Sequence, residues 1–108
     1  MEDNKALVIR ADGTMVVIDM PAEDKLLEEM QSRVDGLIEA VRLETDVTMW
    51  VNEEGLIRGL PVNPLASALH GAVITGDVII TGTNDSGDTI GLPMKRLAQI
   101  VVNVVQPA

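Results

Sequence analysis

The amino-acid sequence predicts an α+β domain in which two or three helices pack on a mainly antiparallel sheet. Short runs rich in Val, Ile and Leu alternate with turn residues, and the Asp12–Gly13 pair between the first two runs is typical of a β-hairpin. Two longer segments repeat apolar residues at helical spacing, one in each half of the chain. Over residues 1–108 these patterns predict a single domain with the order ββαββ(β)αβα, in which the bracketed strand is short.

Four strands and one helix are predicted in the first half of the chain. The strands lie over residues 5–10, 14–20, 37–43 and 46–52. The helix begins at Pro21 and is expected to end at Gly36. Its apolar stripe consists of Leu26, Leu27, Met30 and Val34. In the fourth strand, Trp50 lies on the face opposite Met49, and partial burial of this Trp is favoured over an exposed contact surface.

One stretch in the middle of the chain links the fourth strand to a second helix, and the rest of the fold is organised around it. A polar turn at 52–55 is expected to give Gly55 a positive φ. A short return strand over 56–60 follows. Asn63 is then a good N-cap for a short helix over 64–70, because its side chain can accept a hydrogen bond from the first turn.

Three further segments complete the predicted fold. Residues 72–81 form the most continuously apolar strand, so they are expected at the centre of the sheet, with a bend at Gly76–Asp77. A turn-rich loop over 82–88 follows. The last helix begins after Pro93, and its apolar stripe consists of Met94, Leu97, Ala98, Val101 and Val105.

Composition excludes several classes of protein. The chain has 108 residues, of which 46% are hydrophobic, so a folded core is expected rather than disorder. No apolar run approaches the roughly 20 residues that span a bilayer, and the acidic start is unlike a signal peptide. Because the chain has no Cys, neither a disulfide nor a thiolate site is expected. These observations predict a cytoplasmic protein with no membrane contact.

The negative charge is concentrated in the first half of the chain. Residues 1–54 hold 14 acidic and 5 basic side chains, whereas residues 55–108 hold 3 of each, and the net charge is −9. Such a chain repels nucleic-acid phosphates, so direct binding of DNA or RNA is not expected.

No pattern of catalytic or metal-binding residues stands out. The single His and the absence of Cys argue against a metal site, and residues 84–88 lack the distal Glu of a calcium loop. Ser67 and His70 lie one helical turn apart without a nucleophile motif around them. Glu53 and Glu54 are adjacent carboxylates, but they are expected to point apart into water. We therefore expect no enzymatic activity and no cofactor.

Several segments resemble one protein family. They are residues 36–41, residues 51–55, the Gly59-Leu60-Pro61-x-Asn63 motif and residues 76–80. Together they are similar to the family called domain of unknown function 3846, whose members are small proteins of bacteria, phages and mobile elements, with actinobacterial phages well represented. Leu37 stands where relatives usually have an aromatic residue, and residues 83–108 match only loosely. The resemblance implies a phage or mobile-element setting and no mechanism.

These observations favour a non-enzymatic accessory protein that binds a host or phage protein. A small-ligand binder, such as a sponge for a nucleotide signal, and an acidic DNA mimic remain alternatives. The candidate binding residues are Trp50, Asn52, Glu53, Glu54, Arg58 and Asn63. Asn52, Glu53 and Glu54 are expected to set recognition, while Gly55, Pro61, Asn63 and Pro64 set the fold. A homodimer that pairs the strand over 72–81 across a two-fold axis is also predicted.

Overall fold

A computed structural model of the chain describes residues 3–105, with Val105 described by its backbone alone. Within these residues a six-stranded antiparallel sheet carries three α-helices. The strands are β1 Lys5–Ile9, β2 Met15–Asp19, β3 Ile38–Glu44, β4 Val47–Asn52, β5 Val78–Thr83 and β6 Thr89–Ile90. The helices are α1 Leu26–Val34, α2 Pro64–His70 and α3 Met94–Val105. The predicted α+β class and its mainly antiparallel sheet are confirmed.

The sheet consists of two hairpins joined by a central strand. The order is β2-β1-β5-β4-β3, and the short β6 also pairs with β5. The first hairpin closes as predicted at Asp12–Gly13, where the Asp12 carboxylate accepts a hydrogen bond of 2.8 Å from Thr14 N and Gly13 has φ 93°. The apolar strand predicted over 72–81 does lie at the centre of the sheet, as β5. Its pairing with the neighbouring strands begins only at Val78, after the bend at Gly76–Asp77.

The position of β5 bears on the predicted homodimer. Both edges of this strand are occupied, because Ile80 pairs with Leu7 of β1 on one side and with Met49 of β4 on the other. β5 therefore has no free edge at which it could pair with a second copy across a two-fold axis. The homodimer itself stays a prediction, without this route.

Two apolar layers cover the two faces of the sheet. On one face, α2 and α3 pack over residues that include Leu7, Met49 and Ile80. On the other face, α1 packs through Met30 and Val34. Partial burial of Trp50 beneath α1 is confirmed, and the indole Nε1 donates a hydrogen bond of 2.9 Å to Thr81 Oγ1.

The apolar stripes predicted for two helices are confirmed only in part. In α3 the buried side chains include Leu97, Ile100 and Val104, whereas Met94 and Ala98 are exposed. Its later turns are apolar almost all round, so the spacing of apolar residues did not fix which face is buried. The side chain of Val105 lies outside the described residues. In α1, which follows a 3₁₀ turn over Glu23–Lys25, Leu26, Met30 and Val34 pack on the core as predicted, whereas Leu27 is exposed.

The middle stretch contains no return strand, so that part of the prediction is wrong. Residues 56–60 instead belong to a turn whose N–H groups bond back within the loop, from Arg58 N to Glu54 O at 2.8 Å and from Leu60 N to Gly55 O at 3.0 Å. These donors are therefore unavailable to a sheet. Gly55 has no positive φ; Gly59 has, at 68°. Gly55 is required for space, because a Cβ there would clash with Thr75 Oγ1.

Asn63 is fully buried and joins three parts of the fold. As predicted, its side-chain oxygen caps α2 by accepting a hydrogen bond of 3.0 Å from Ala66 N. Its amide nitrogen also donates to Ile9 O at 3.0 Å and to Gly76 O at 2.9 Å. The side chain therefore fixes the end of β1, the approach to β5 and the start of α2 at one point.

We expect Asn63→Asp to lower the free energy of unfolding by about 3 kcal/mol, because two buried carbonyls would lose their donors and face a carboxylate. The Asp side chain keeps the helix cap, which alone is worth about 1 kcal/mol. In thermal denaturation the midpoint should fall by more than roughly 10 °C. The exposed Asn103→Ala variant should melt like the wild type. An Asn63→Asp protein that also melts like the wild type would show that only the cap matters.

Arg96 ties α3 to the turn between β3 and β4. Its guanidinium donates to the Asp46 carboxylate at 3.0 and 3.1 Å and to Glu44 Oε1 at 2.8 Å. The hydrogen bonds from Arg96 lower the pKa of Asp46 below its ordinary value of 3.8 and raise the pKa of the guanidinium. A carboxylate whose pKa is lower in the folded state stabilises the protein above its unfolded pKa.

We expect Arg96→Met to cost about 1 kcal/mol at neutral pH and low salt, because the ion pairs are half-exposed. The cost should be complete above the unfolded pKa of Asp46 and should disappear as pH falls through its lower folded value. Urea denaturation over this pH range measures the difference. Lys95→Met, one position away, should show no such pH dependence. A cost that is the same at every pH would assign the effect to packing instead.

Candidate functional site

The loop over residues 53–60, here called the anchored loop, begins at a buried side chain. Asn52 is the last residue of β4, and its amide nitrogen donates to Val34 O at 3.0 Å and to Asp35 O at 3.1 Å. Carbonyls at the end of a helix have no partner within the helix, so Asn52 satisfies those at the end of α1. Its side-chain oxygen accepts a hydrogen bond of 2.7 Å from Glu54 N, which fixes the first turn of the loop.

Arg58 holds the other part of the loop to the same helix end. Its Nη1 donates to Asp35 O at 2.6 Å, and its Nη2 lies 3.3 Å from the Asp35 carboxylate. A cation is favourable at the negative end of a helix dipole. Gly36 permits this approach, because a Cβ there would lie 2.8 Å from Asn52 Nδ2 and 3.0 Å from Arg58 Nη1. Two residues near opposite ends of the loop, Asn52 and Arg58, therefore attach it to the same end of α1.

The anchored loop presents two aliphatic side chains to solvent. Leu56 is 72% exposed and Ile57 is 88% exposed, so neither contributes to the core. Sequence reasoning missed both, because it assigned them to a return strand. The available signal was an aliphatic pair placed between acidic residues and Gly59, without the alternation of a half-buried strand.

A cleft of about 360 Å³ lies between the anchored loop and the segment that follows α2. Its floor includes Val41 and Val51, from β3 and β4. Its apolar walls are Leu56, Ile57, Val73 and Ile74, and its charged or titratable lining is Glu39, Glu53 and His70. The lining of the cleft is therefore mixed, with more apolar than polar surface and with two carboxylates.

The structure brings few of the predicted binding residues together. Asn52 and Glu53 line the cleft, Glu54 is exposed beside Glu53, and Arg58 is engaged with Asp35. Trp50 lies beneath α1 on the other face of the sheet. Asn63 is buried and bonded to the chain itself. Intramolecular hydrogen bonds thus account for Asn52, Arg58 and Asn63, while a role of the predicted residues in binding stays a prediction.

The Ser67–His70 pair does not form a catalytic arrangement. Ser67 Oγ is 2.8 Å from Ile74 N and 3.2 Å from Ile74 O, so it closes the turn after α2. His70 is exposed at the end of that helix, as expected. Asp77 accepts a hydrogen bond of 2.9 Å from Ala11 N. Within residues 3–105 there is also no group of three or more potential metal ligands.

A larger cleft, of about 550 Å³, lies between Pro21 and the segment over 84–91, which includes β6. None of the predicted binding residues lines it, and its lining comes mainly from residues outside the long strands and helices.

Across the part of the chain that the structure describes, no helix is both long and apolar enough to span a membrane.

A family model described as "Domain of unknown function (DUF3846)" matches residues 4–103. The chain belongs to this family. The match extends well beyond the segments that carried the resemblance and includes most of the loosely similar carboxy-terminal part. No curated protein matches this DUF3846 chain. Two of the segments that suggested the family, residues 51–55 and the Gly59-Leu60-Pro61-x-Asn63 motif, contain the two asparagines that bond to α1 and α2.

The crystal structure of small RNA methyltransferase HEN1 is similar to this DUF3846 protein. The two share 13% sequence identity at a TM-score of 0.61, and the match covers 94% of this chain. It covers only 16% of that protein. At this identity the likeness shows the fold alone.

We expect Asn52→Ala to lower the free energy of unfolding by about 2 kcal/mol, because it removes the side-chain donor from Val34 O and the acceptor from Glu54 N, while Asp35 O keeps its hydrogen bond from Arg58. Glu53→Gln/Glu54→Gln should stay within about 0.5 kcal/mol of the wild type, since exposed charges contribute little. Denaturant titration measures both variants. If the double Gln variant were the less stable one, the carboxylates would be structural and Asn52 would be the side chain left for recognition.

Proposed function

We propose that this protein is a non-enzymatic accessory protein of a phage or mobile element that binds a host or phage protein in the host cytoplasm. Binding occurs at the anchored loop, through Leu56 and Ile57. The observation that carries the proposal is that these two side chains are largely exposed, although the backbone of the loop is fixed by hydrogen bonds. Covering such a pair with the apolar surface of a partner removes it from water and favours binding.

The fixed geometry of the loop strengthens this proposal. Asn52 and Arg58 hold the loop to α1, so little conformational entropy remains to be lost when a partner binds. Apolar side chains on a preorganised support are typical of the small set of residues that dominates binding energy at protein interfaces. The phage or mobile-element setting rests on the family resemblance.

The cleft beside the loop supports a small-ligand binder as a second candidate, because its volume is in the range of ligand sites. A nucleotide is disfavoured as that ligand, since the lining carries two carboxylates and Arg58 is engaged with Asp35. A DNA mimic has less support. Ion pairs such as Lys5–Asp19 and Arg33–Glu29 place cations among the acids and interrupt a phosphate-like array.

We expect a photo-crosslinking amino acid at position 57, in the bacterial host, to capture a specific protein, while the same group at position 102 does not. The captured protein is then purified and its Kd measured by calorimetry. Leu56→Ser/Ile57→Ser should raise that Kd at least tenfold, roughly the effect of removing two buried aliphatic contacts.

The matched control is Leu27→Ser/Val102→Ser, which removes two aliphatic side chains that are 57% and 52% exposed on other elements. This control should leave the Kd unchanged, and both double variants should keep the wild-type melting temperature. Equal Kd values for the two double variants, or identical cross-linked products from positions 57 and 102, would place the interface elsewhere.

A further inference from the structure

We infer that the cleft beside the anchored loop takes a basic peptide segment, in which an apolar anchor is flanked by Lys or Arg. This inference rests on the proposed function and specifies the chemistry of the partner. The apolar part of the cleft's interior comes from Val41 and from the buried Val51 and Ile74, and Leu56 and Ile57 extend this apolar surface into solvent. An apolar side chain of the partner is the group that this interior can cover.

Charge determines what surrounds that anchor. Glu39 and Glu53 line the cleft and Glu54 lies exposed next to Glu53. None of the ion pairs found within residues 3–105 includes any of the three. Arg58, the cation of the same loop, is paired with Asp35. A partner with Lys or Arg beside its anchor would supply the opposite charge and would be steered toward this side of the protein.

The same charges argue against a second copy of this chain as the occupant. The chain has a net charge of −9 and only 8 Lys and Arg residues, of which Lys5, Arg33, Arg58 and Arg96 are already paired with acids. Placing another acidic copy against the lining of the cleft would bring like charges together. Nucleic acid is disfavoured for the same reason.

The segment is expected to bind through its side chains rather than as an additional strand. β3 is an edge strand of the sheet, and Glu39 lies on it. Its exposed charges at Glu39, Arg42 and Glu44, and the irregular register between Arg42 and Glu44, are features that obstruct pairing with another strand. The anchor-in-cleft mode avoids this edge.

The test is a selection of random 12-residue displayed peptides on the folded protein, followed by titration of synthetic peptides. Enriched sequences should combine a large aliphatic or aromatic residue with Lys or Arg. Their Kd should rise roughly tenfold for Glu39→Gln/Glu53→Gln and should also rise when salt is increased from 50 to 300 mM. Glu23→Gln/Glu28→Gln, which removes two exposed acids far from the cleft in the chain, is the matched control and should leave the Kd within twofold.

The outcomes separate this inference from the proposed function. Enriched peptides that are neutral or acidic, or whose Kd is unchanged by Glu39→Gln/Glu53→Gln, would overturn the inference. If those peptides still lost affinity with Leu56→Ser/Ile57→Ser, the binding site would stand and only its charge preference would be wrong. If affinity survived Leu56→Ser/Ile57→Ser, the site itself would be wrong. A selection that enriches no peptide would also overturn the inference.

Discussion

The buried amide of Asn63 is the interaction on which the rest of this fold depends. Its three hydrogen bonds join Ile9, Gly76 and Ala66, which lie far apart in the chain and belong to different elements. A buried amide is tolerated only when its donors and acceptor are satisfied, so these three elements must adopt one relative placement. That placement sets β5 against β1 and, through β5, positions both hairpins in the same sheet.

Asn52 has the corresponding role on the other side of the sheet. It closes the end of α1, and together with Arg58 it holds the anchored loop in place. Much of the motif that identifies the family is therefore explained by the needs of the fold. The fold does not require the exposed side chains of Leu56 and Ile57. A function is therefore best sought at these two residues.

The features that sequence reasoning predicted correctly rest on local chemistry. The Asp12–Gly13 turn and the Asn63 cap depend on neighbouring residues, and the central position of β5 follows from its continuous apolar run. The role of Asn52 was not accessible, because its partners at Val34 and Asp35 are 18 and 17 residues away and no pattern encodes such a contact.

Two other errors came from patterns that fit more than one structure. The short apolar run at 56–60 suits a strand as well as an exposed turn, and only tertiary contacts distinguish them. In α3, an almost continuous apolar surface left the buried face undetermined. Leu56 and Ile57 were missed for the first of these reasons, because they were placed in a strand that does not exist, although the predicted Asn52 and Glu53 do line the cleft.

The pairing of β1 with β5 determines when the sheet can be completed during synthesis. Leu7 pairs with Ile80, and Ile9 pairs with Val78. Nearly three-quarters of the chain must therefore be synthesised before the two hairpins can be joined. Contacts between such distant residues slow folding. Until then each hairpin displays an apolar face and an unpaired edge, the state in which nascent chains aggregate most readily. A product truncated before Val78 would remain in that state, because it lacks the strand that joins the two hairpins.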